Sequence, residues 1–525
     1  MGDVPYAIGD MRHTIMATSI DLIPSQRKLV HGWLLFAISA AAIAGTLAFA
    51  VAMTRTPGVR LLPSARAFQV ILVGHVTFAL TIWLLTFIAT AWNYVAAKSG
   101  IELNGRVGWF GLAASLIGAV IISVPIATFQ GEAVMNDYVP LLDTPLFFIG
   151  FVAFLAGIGI TAANYLVGVA RREKTTGPIS LTAYGMACAA AAALTAIVAL
   201  GVAAFRLGIG ENGRIPTEYF QAMFWGMGHS LQYVSVATMV VVWYSLVGIF
   251  IGDPPSGAFR KLAIAVFTLF AVFSLVTPLP YFLYEPMLVP TKKIWGIMLD
   301  VGLSLPVMAL GPMLLVWIWR ATSLRDWIAS LKKIPWGEPR VMTFVFSAAL
   351  FAFGLSIHPA VRQGTLRTPA HYHSVVVGGV TLAFMGLAYH LLPVVRRAVI
   401  WRRVAMVQPY LFAFGLMFLV AGMLVAGDLG APRKTYDAAV TGAAWLKPMV
   451  VMGVGAGIAA LGGALFVAVM MRSLLRKGRS VAAANDRPVL IRPPGLPDCP
   501  LTHVILLLDC CEASFRSGHH ASSSP

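Results

Sequence analysis

The sequence is poor in charged side chains, which make up 11% of its 525 residues, whereas average soluble domains carry about 25%. Cysteine is scarcer still, with four residues and no C-x-x-C-H run. A disulfide framework, a cysteine-ligated copper centre and covalently attached c-type heme are therefore not expected. A charge content this low also excludes a soluble globular domain.

Acidic residues are few, 21 against 38 basic ones, which gives a formal net charge of +17. The basic residues lie in short connections between apolar runs, as at 171–174, 320–333 and 396–403, and no basic domain is present, so nucleic acid binding is not expected. Their alternation fits the positive-inside rule with both termini cytoplasmic, in a plasma membrane of the bacterial inner-membrane type. The first outer connection, with Arg55, Arg60 and Arg66, is an exception.

Long apolar runs dominate what is present, and each is long enough to cross a bilayer. No short apolar core with a small-residue cleavage site precedes them, so the first run is interpreted as an uncleaved span. We predict an all-α integral membrane protein: a cytoplasmic segment 1–29, a bundle of about twelve transmembrane helices over 30–475, and a disordered cytoplasmic tail 476–525. The predicted spans are 30–53, 67–94, 107–129, 145–169, 179–204, 217–251, 261–284, 294–319, 341–358, 370–395, 408–427 and 447–471.

Two histidines, His371 and His373, stand one residue apart at the head of the tenth run. Ionisable side chains inside a span are costly and are functional candidates by default. Residues two apart on a helix point about 200° away from each other, so the pair can serve two centres on opposite sides of one helix.

With the predicted orientation, His75, His229, His371 and His373 all fall in the outer half of the membrane. A lone histidine in a span can simply hydrogen-bond a neighbouring helix. Two imidazoles on one iron give a low-spin heme, and one imidazole leaves a site open for a gas. Three histidines thus match one six-coordinate and one five-coordinate heme.

His229 is followed four residues later by Tyr233, which places both on one face of the sixth helix. The tyrosine is either a packing or interfacial ring, or a phenol beside a metal-bound histidine. In the second case it could release a proton and an electron together, as O–O cleavage requires.

At these residues the chain resembles subunit I of the heme-copper oxidases over about 30–475. Trp225-x3-His229-x3-Tyr233 is similar to the family's sixth-helix motif, and His371-Tyr372-His373 to its H-F-H. The resemblance implies that His371 is the axial ligand of a high-spin heme. It further implies that His373 and His75 hold a low-spin heme, and that His229 is a ligand of a second metal with Tyr233 beside it.

A run after the eleventh span, Gly430-Ala431-Pro432-Arg433-Lys434, looks like the family's G-x-P-R-R. The resemblance implies that Arg433 and Lys434 hold heme propionates. Lysine keeps the positive charge of the second arginine but loses its bidentate geometry.

The chain departs from the family in its seventh span. Phe282 and Leu283 stand where the family has an adjacent His-His pair, the other two ligands of the second metal. One imidazole is a poor copper site; either the second metal is absent or other groups, with Tyr284 and Glu285 nearest, complete it. Copper and non-heme iron both stay open, and proton pumping is not supported.

The resemblance implies a cytochrome oxidase-like oxidoreductase of the respiratory chain, in which a low-spin heme passes electrons to a high-spin heme that reduces O2. A nitric oxide reductase, a non-catalytic heme-binding gas sensor or electron relay, and a transporter with structural histidines are the alternatives. The expected partners are membrane lipid and, as electron donor, another subunit or a soluble cytochrome.

Overall fold

The computed structural model describes residues 22–208, 210, 215–285, 289–321, 335–361, 364–436 and 441–476. This part of the chain is built around twelve long helices, each apolar enough to cross a membrane, which confirms the all-α class. The predicted tail lies outside these residues beyond 476, and its assignment stays a prediction. The helices are α1 Pro24–Arg55, α2 Ala65–Lys98, α3 Gly105–Thr128, α4 Pro145–Thr176, α5 Leu181–Leu207, α6 Pro216–Ile251, α7 Ala258–Leu283, α8 Lys293–Ala321, α9 Pro339–Ala360, α10 Arg367–Val394, α11 Arg402–Asp428 and α12 Leu446–Leu475.

Helix starts follow local chemistry. Ser64 accepts a hydrogen bond from the backbone N–H of Ala67 at 3.2 Å, and Asn104 caps α3 through Arg106 and Val107. Proline occupies the first turn of α1, α4, α6 and α9, where its missing N–H costs nothing. These signals fix where the chain enters each apolar segment.

Two helix pairs, α3 with α4 and α11 with α12, pack with their backbones in close approach. A Cβ added at Gly118 would meet the backbone nitrogen of Phe154, and one at Gly415 would meet that of Ala459. Small residues allow such contacts, which drive helix association where lipid supplies no hydrophobic force.

α6 and α10 are the most buried of the twelve helices and form the centre of the bundle. Between α3 and α4 a small antiparallel hairpin, β1 (Glu132–Val134) paired with β2 (Leu141–Asp143), carries a connecting loop, residues 135–140. This hairpin loop contacts the first turns of α6, where Asp137 and Gln221 bond to each other.

Three of the described spans contain wide π-helical segments, at Thr77–Trp83 in α2, at His373–Thr381 in α10 and at Asp300–Ser304 in α8. Such segments cost hydrogen-bond geometry and are frequent at functional sites. The first begins two residues after His75, and the second begins at His373. The local distortion thus accompanies the two histidines expected to share one iron.

Candidate functional site

A cavity of 590 Å³ lies among α1, α2, α10, α11 and α12, and both His75 and His373 line it. Its other walls are mostly apolar and include small residues of α1, which leave room for a flat ligand. Among them are Ala41, Ala44, Gly45, Ala48, Phe68, Leu72, Val376, Val377, Leu416, Leu419 and Met452. His75 of α2 and His373 of α10 are thus brought together in one largely apolar cavity.

Backbone carbonyls fix the rings of these two histidines. Nδ1 of His75 lies 3.3 Å from the carbonyl oxygen of Ala44, and Nδ1 of His373 lies 2.7 Å from that of Pro369. A ring that donates from Nδ1 leaves its Nε2 lone pair for a metal, and such outer partners orient metal-binding histidines. The pair and its apolar walls fit a bis-histidine heme.

The same cavity has a cationic edge, because Arg433 and Lys434 line it. Both cations contact Asp137 of the hairpin loop: Arg433 through a short ion pair and Lys434 with its Nζ 3.5 Å from Oδ1. Lys434 also donates to the backbone carbonyl of Asn136 at 2.6 Å. Carboxylate groups on a ligand in the cavity would find positive partners at this edge, and Arg55 lines the same cavity.

Burial and neighbouring charges shift the pKa of Asp137 in opposite directions. Burial alone would raise the pKa of Asp137, but the positive charges of Arg433 and Lys434 outweigh it and hold that pKa below its ordinary value. Burial lowers the pKa of Lys434 to about 8, with Asp137 opposing the shift and Arg433 adding to it. Lys434 therefore loses its charge near pH 8.

His371 does not line this cavity. Its Nδ1 lies 2.9 Å from the carbonyl oxygen of Gly354 on α9, and its ring centroid is 4.8 Å from that of His358. His358 in turn lies 3.3 Å from Asp300 of α8. His371 and His373 therefore face different neighbours, as their spacing predicts, and the α9 side holds a second imidazole that the sequence patterns did not single out.

His229 is enclosed by hydrogen bonds and rings. Its Nδ1 lies 2.8 Å from the carbonyl oxygen of Trp225, and its Nε2 lies 3.3 Å from the hydroxyl of Tyr138. The rings of Trp225, Tyr138 and Trp295 stand 5.2, 5.0 and 6.1 Å from it, centroid to centroid. Both nitrogens of this imidazole are thus engaged with protein atoms.

Tyr233 directs its hydroxyl elsewhere, donating to the backbone carbonyl of Met298 at 2.7 Å. The phenol that contacts His229 is Tyr138, which also accepts a hydrogen bond from Gln232 at 3.0 Å. The helical spacing of His229 and Tyr233 places them on one face but does not reveal this long-range partner.

The two residues that replace the family's histidine pair, Phe282 and Leu283, carry no side-chain atom that can bind a metal. Phe282 and Leu283 are 54% and 61% exposed, whereas Tyr281 is buried and donates its hydroxyl to the carbonyl of Ala222 at 2.7 Å. Across the residues that the structure describes, no group of three or more His, Cys, Asp or Glu side chains could hold a metal ion. The donor set around His229 therefore does not fit a second metal.

The described residues form twelve helices able to cross a membrane, with a two-histidine cavity and its cationic edge among five of them, which defines an integral membrane protein of the heme-binding redox class. Residues 28–459 match the family model described as Cytochrome C and Quinol oxidase polypeptide I. The chain belongs to this family, the subunit I family of the heme-copper oxidases, as its motifs indicate.

Several known proteins are similar to this chain. An uncharacterised protein of Aquifex aeolicus is 28% identical over 68% of this chain and 83% of its own, and an uncharacterised protein of Rickettsia prowazekii is 23% identical over 84% and 94%. Cytochrome c oxidase subunit 1 of Thermus thermophilus is 24% identical over 73% and 71%. The structure of a heme-copper terminal oxidase dimer shares the fold, with a TM-score of 0.70 and 19% identity over 87% of this chain and 85% of that one.

Proposed function

We propose that this chain is a heme-containing oxidoreductase subunit that takes electrons in at a low-spin heme between His75 and His373. The observation that carries the proposal is the placement of both imidazoles in one apolar cavity with Arg433 and Lys434 at its edge. In this proposal His371, oriented by the Gly354 carbonyl, would hold a high-spin heme, which would supply the chemistry of O2 reduction. The hemes supply the one-electron chemistry.

The chain's own residues have three tasks. Ala44 and Pro369 orient the two imidazoles through their carbonyls, the apolar walls exclude water, and the cations neutralise ligand carboxylates. Low-dielectric surroundings strengthen each of these interactions. Cys188 is buried, and the described residues offer no cysteine-ligated electron entry site, so another subunit or a soluble cytochrome supplies the electrons. The basic connections support a topology with both termini on the cytoplasmic side of a bacterial-type plasma membrane.

A second candidate function is a non-catalytic electron relay or gas sensor with the same low-spin heme. One observation favours it: Tyr138 and the Trp225 carbonyl engage both nitrogens of His229. A nitric oxide reductase would need a non-heme iron beside His229, for which the described side chains offer no ligand group.

Optical spectra and iron analysis of the purified chain test the proposal. We expect a low-spin heme signal that His373→Ala abolishes and His371→Ala leaves in place. The matched control is His390→Gln, on the same helix but bonded to the Tyr94 hydroxyl at 2.8 Å and outside the cavity; it should keep the signal. Purified chain without heme, or a low-spin signal that survives His373→Ala, would refute the assignment. Reduction of O2 by the purified chain with an electron donor separates the oxidase from the relay.

A further inference from the structure

Asp137 contacts the two cations that a ligand's carboxylates are expected to meet. It contacts Arg433 and Lys434, which both line the cavity, and is held by Gln221 through two hydrogen bonds of 2.7 Å, one to its side chain and one from its backbone N–H. Asp137 therefore already balances one of the positive charges at the cationic edge.

The next residue, Tyr138, is hydrogen-bonded to His229 of α6. Its hydroxyl contacts His229 and Gln232, and its ring packs edge-on against Trp225 at 5.4 Å. A Cβ at Gly228 would collide with this ring, so glycine is needed on α6 for the phenol to reach His229. The adjacent loop residues Asp137 and Tyr138 thus contact the cationic edge of the cavity and His229, respectively.

The loop that carries them is short and tied at both ends. The strands pair through Glu132 with Asp143, Ala133 with Leu142 and Val134 with Leu141, which leaves only residues 135–140 between them. Lys434 also bonds the carbonyls of Met135 and Asn136, at 3.3 and 2.6 Å. A shift of the Asp137 side chain or of Lys434 therefore acts on the backbone next to Tyr138.

We propose that Asp137 is an internal competitor for carboxylate ligands of the cavity, and that the hairpin loop couples occupancy of the cationic edge to the hydrogen bond between Tyr138 and His229. The ligand class is a flat apolar ring with carboxylate substituents; in this respect the inference rests on the proposed function. Such a ligand places like charges beside Asp137, which weakens the hold of the cations on the loop. Tyr138 is a positioning residue for His229 in this scheme.

The first test measures competition. The full-length chain in detergent, produced under heme limitation, is titrated with metal-free protoporphyrin IX and with its dimethyl ester. We expect Asp137→Asn to tighten binding of the free acid about tenfold, below the ceiling that one like-charge interaction sets, and to leave the ester unchanged. Asp143→Asn, an exposed residue of the same hairpin, should change neither. Equal effects of Asp137→Asn on acid and ester would overturn the competition.

The second test measures coupling through a double-mutant cycle of Asp137→Asn and Tyr138→Phe on free-acid affinity. Coupled residues give non-additive effects, and we expect the double variant to differ at least threefold from the product of the single changes. Tyr233→Phe in place of Tyr138→Phe should be additive. Additive behaviour of the first pair overturns the coupling, even if a low-spin heme spectrum upholds the proposed function. Coupling with metal-free porphyrin but no low-spin spectrum would uphold the coupling and refute the proposed function. Absence of all porphyrin binding would refute both.

Discussion

The hydroxyl of Tyr138 lies 3.3 Å from Nε2 of His229, the nitrogen that a second metal would require. This single relationship separates the chain from what its sixth-helix motif implies, because a phenol from a loop between α3 and α4 takes the position of an incoming metal bond.

Metal content should reflect this arrangement. We expect the purified chain to carry no stoichiometric copper or non-heme iron, and His229→Asn to leave its metal content unchanged, since no group of three or more His, Cys, Asp or Glu side chains in the described part of the chain could hold a metal ion. Elemental analysis of both proteins checks this. One equivalent of copper that disappears in His229→Asn would contradict it.

Ligand affinity should depend on pH through Lys434. Its pKa of about 8 means that the ammonium is charged below pH 8 and neutral above it. Affinity for a dicarboxylate porphyrin should therefore fall severalfold as pH rises from about 7 to 9, because the loss of one charge contact costs about 1 kcal/mol. Lys434→Arg keeps its charge and should remove the dependence; fluorescence titration at each pH measures it. A wild-type affinity that is flat across this range would refute the role of Lys434.

Acid stability should depend on Asp137. Because its folded-state pKa lies below its ordinary value, the stabilisation is present above about pH 4 and is lost as pH falls through the folded pKa. Asp137→Asn should lower the melting temperature at pH 7 and flatten its decline below pH 4. Thermal unfolding followed across this range, with Asp143→Asn as the exposed control, is the measurement. Parallel pH curves for wild type and Asp137→Asn would count against the ion pairs.

Packing at Gly228 should be sensitive to a single methyl group. Gly228→Ala places a Cβ against the ring of Tyr138 and should cost about 1–3 kcal/mol, the usual range for overpacking. Gly248→Ala on the same helix meets only Trp317, at 3.6 Å, and should be tolerated. Tyr138→Ala in the Gly228→Ala background should recover part of the loss in melting temperature. Equal effects of the two glycine substitutions would show that the ring of Tyr138 does not pack as described.

Hydropathy predicts most of the fold. The predicted sixth span, 217–251, differs by one residue from Pro216–Ile251, and the predicted eighth, 294–319, by one and two from Lys293–Ala321. Bilayer thickness imposes this length on the sequence itself. The site is only partly predictable: His75, His373, Arg433 and Lys434 stand in local motifs and meet in one cavity.

The remaining contacts leave no local pattern. Tyr138 and His229 are 91 positions apart, and Asp137 and Arg433 are 296 apart. No periodicity links them, since these contacts depend on how the hairpin lies against α6 and the connection after α11. His358 cannot be singled out from the sequence for the same reason. It lies beside His371 only because α9 packs against α10.

The wide segment His373–Thr381 gives α10 a property that a regular helix lacks. An α-helix turns 100° per residue, so a single extra residue held in a bulge resets the angular register between the two ends of the span. The N-terminal end of α10 can direct its histidines while the C-terminal end keeps His390 bonded to Tyr94. Removing one residue from the bulge would make the helix regular, but every side chain beyond the deletion would rotate by roughly a quarter turn. His373 and the C-terminal half of α10 could then no longer both keep their contacts.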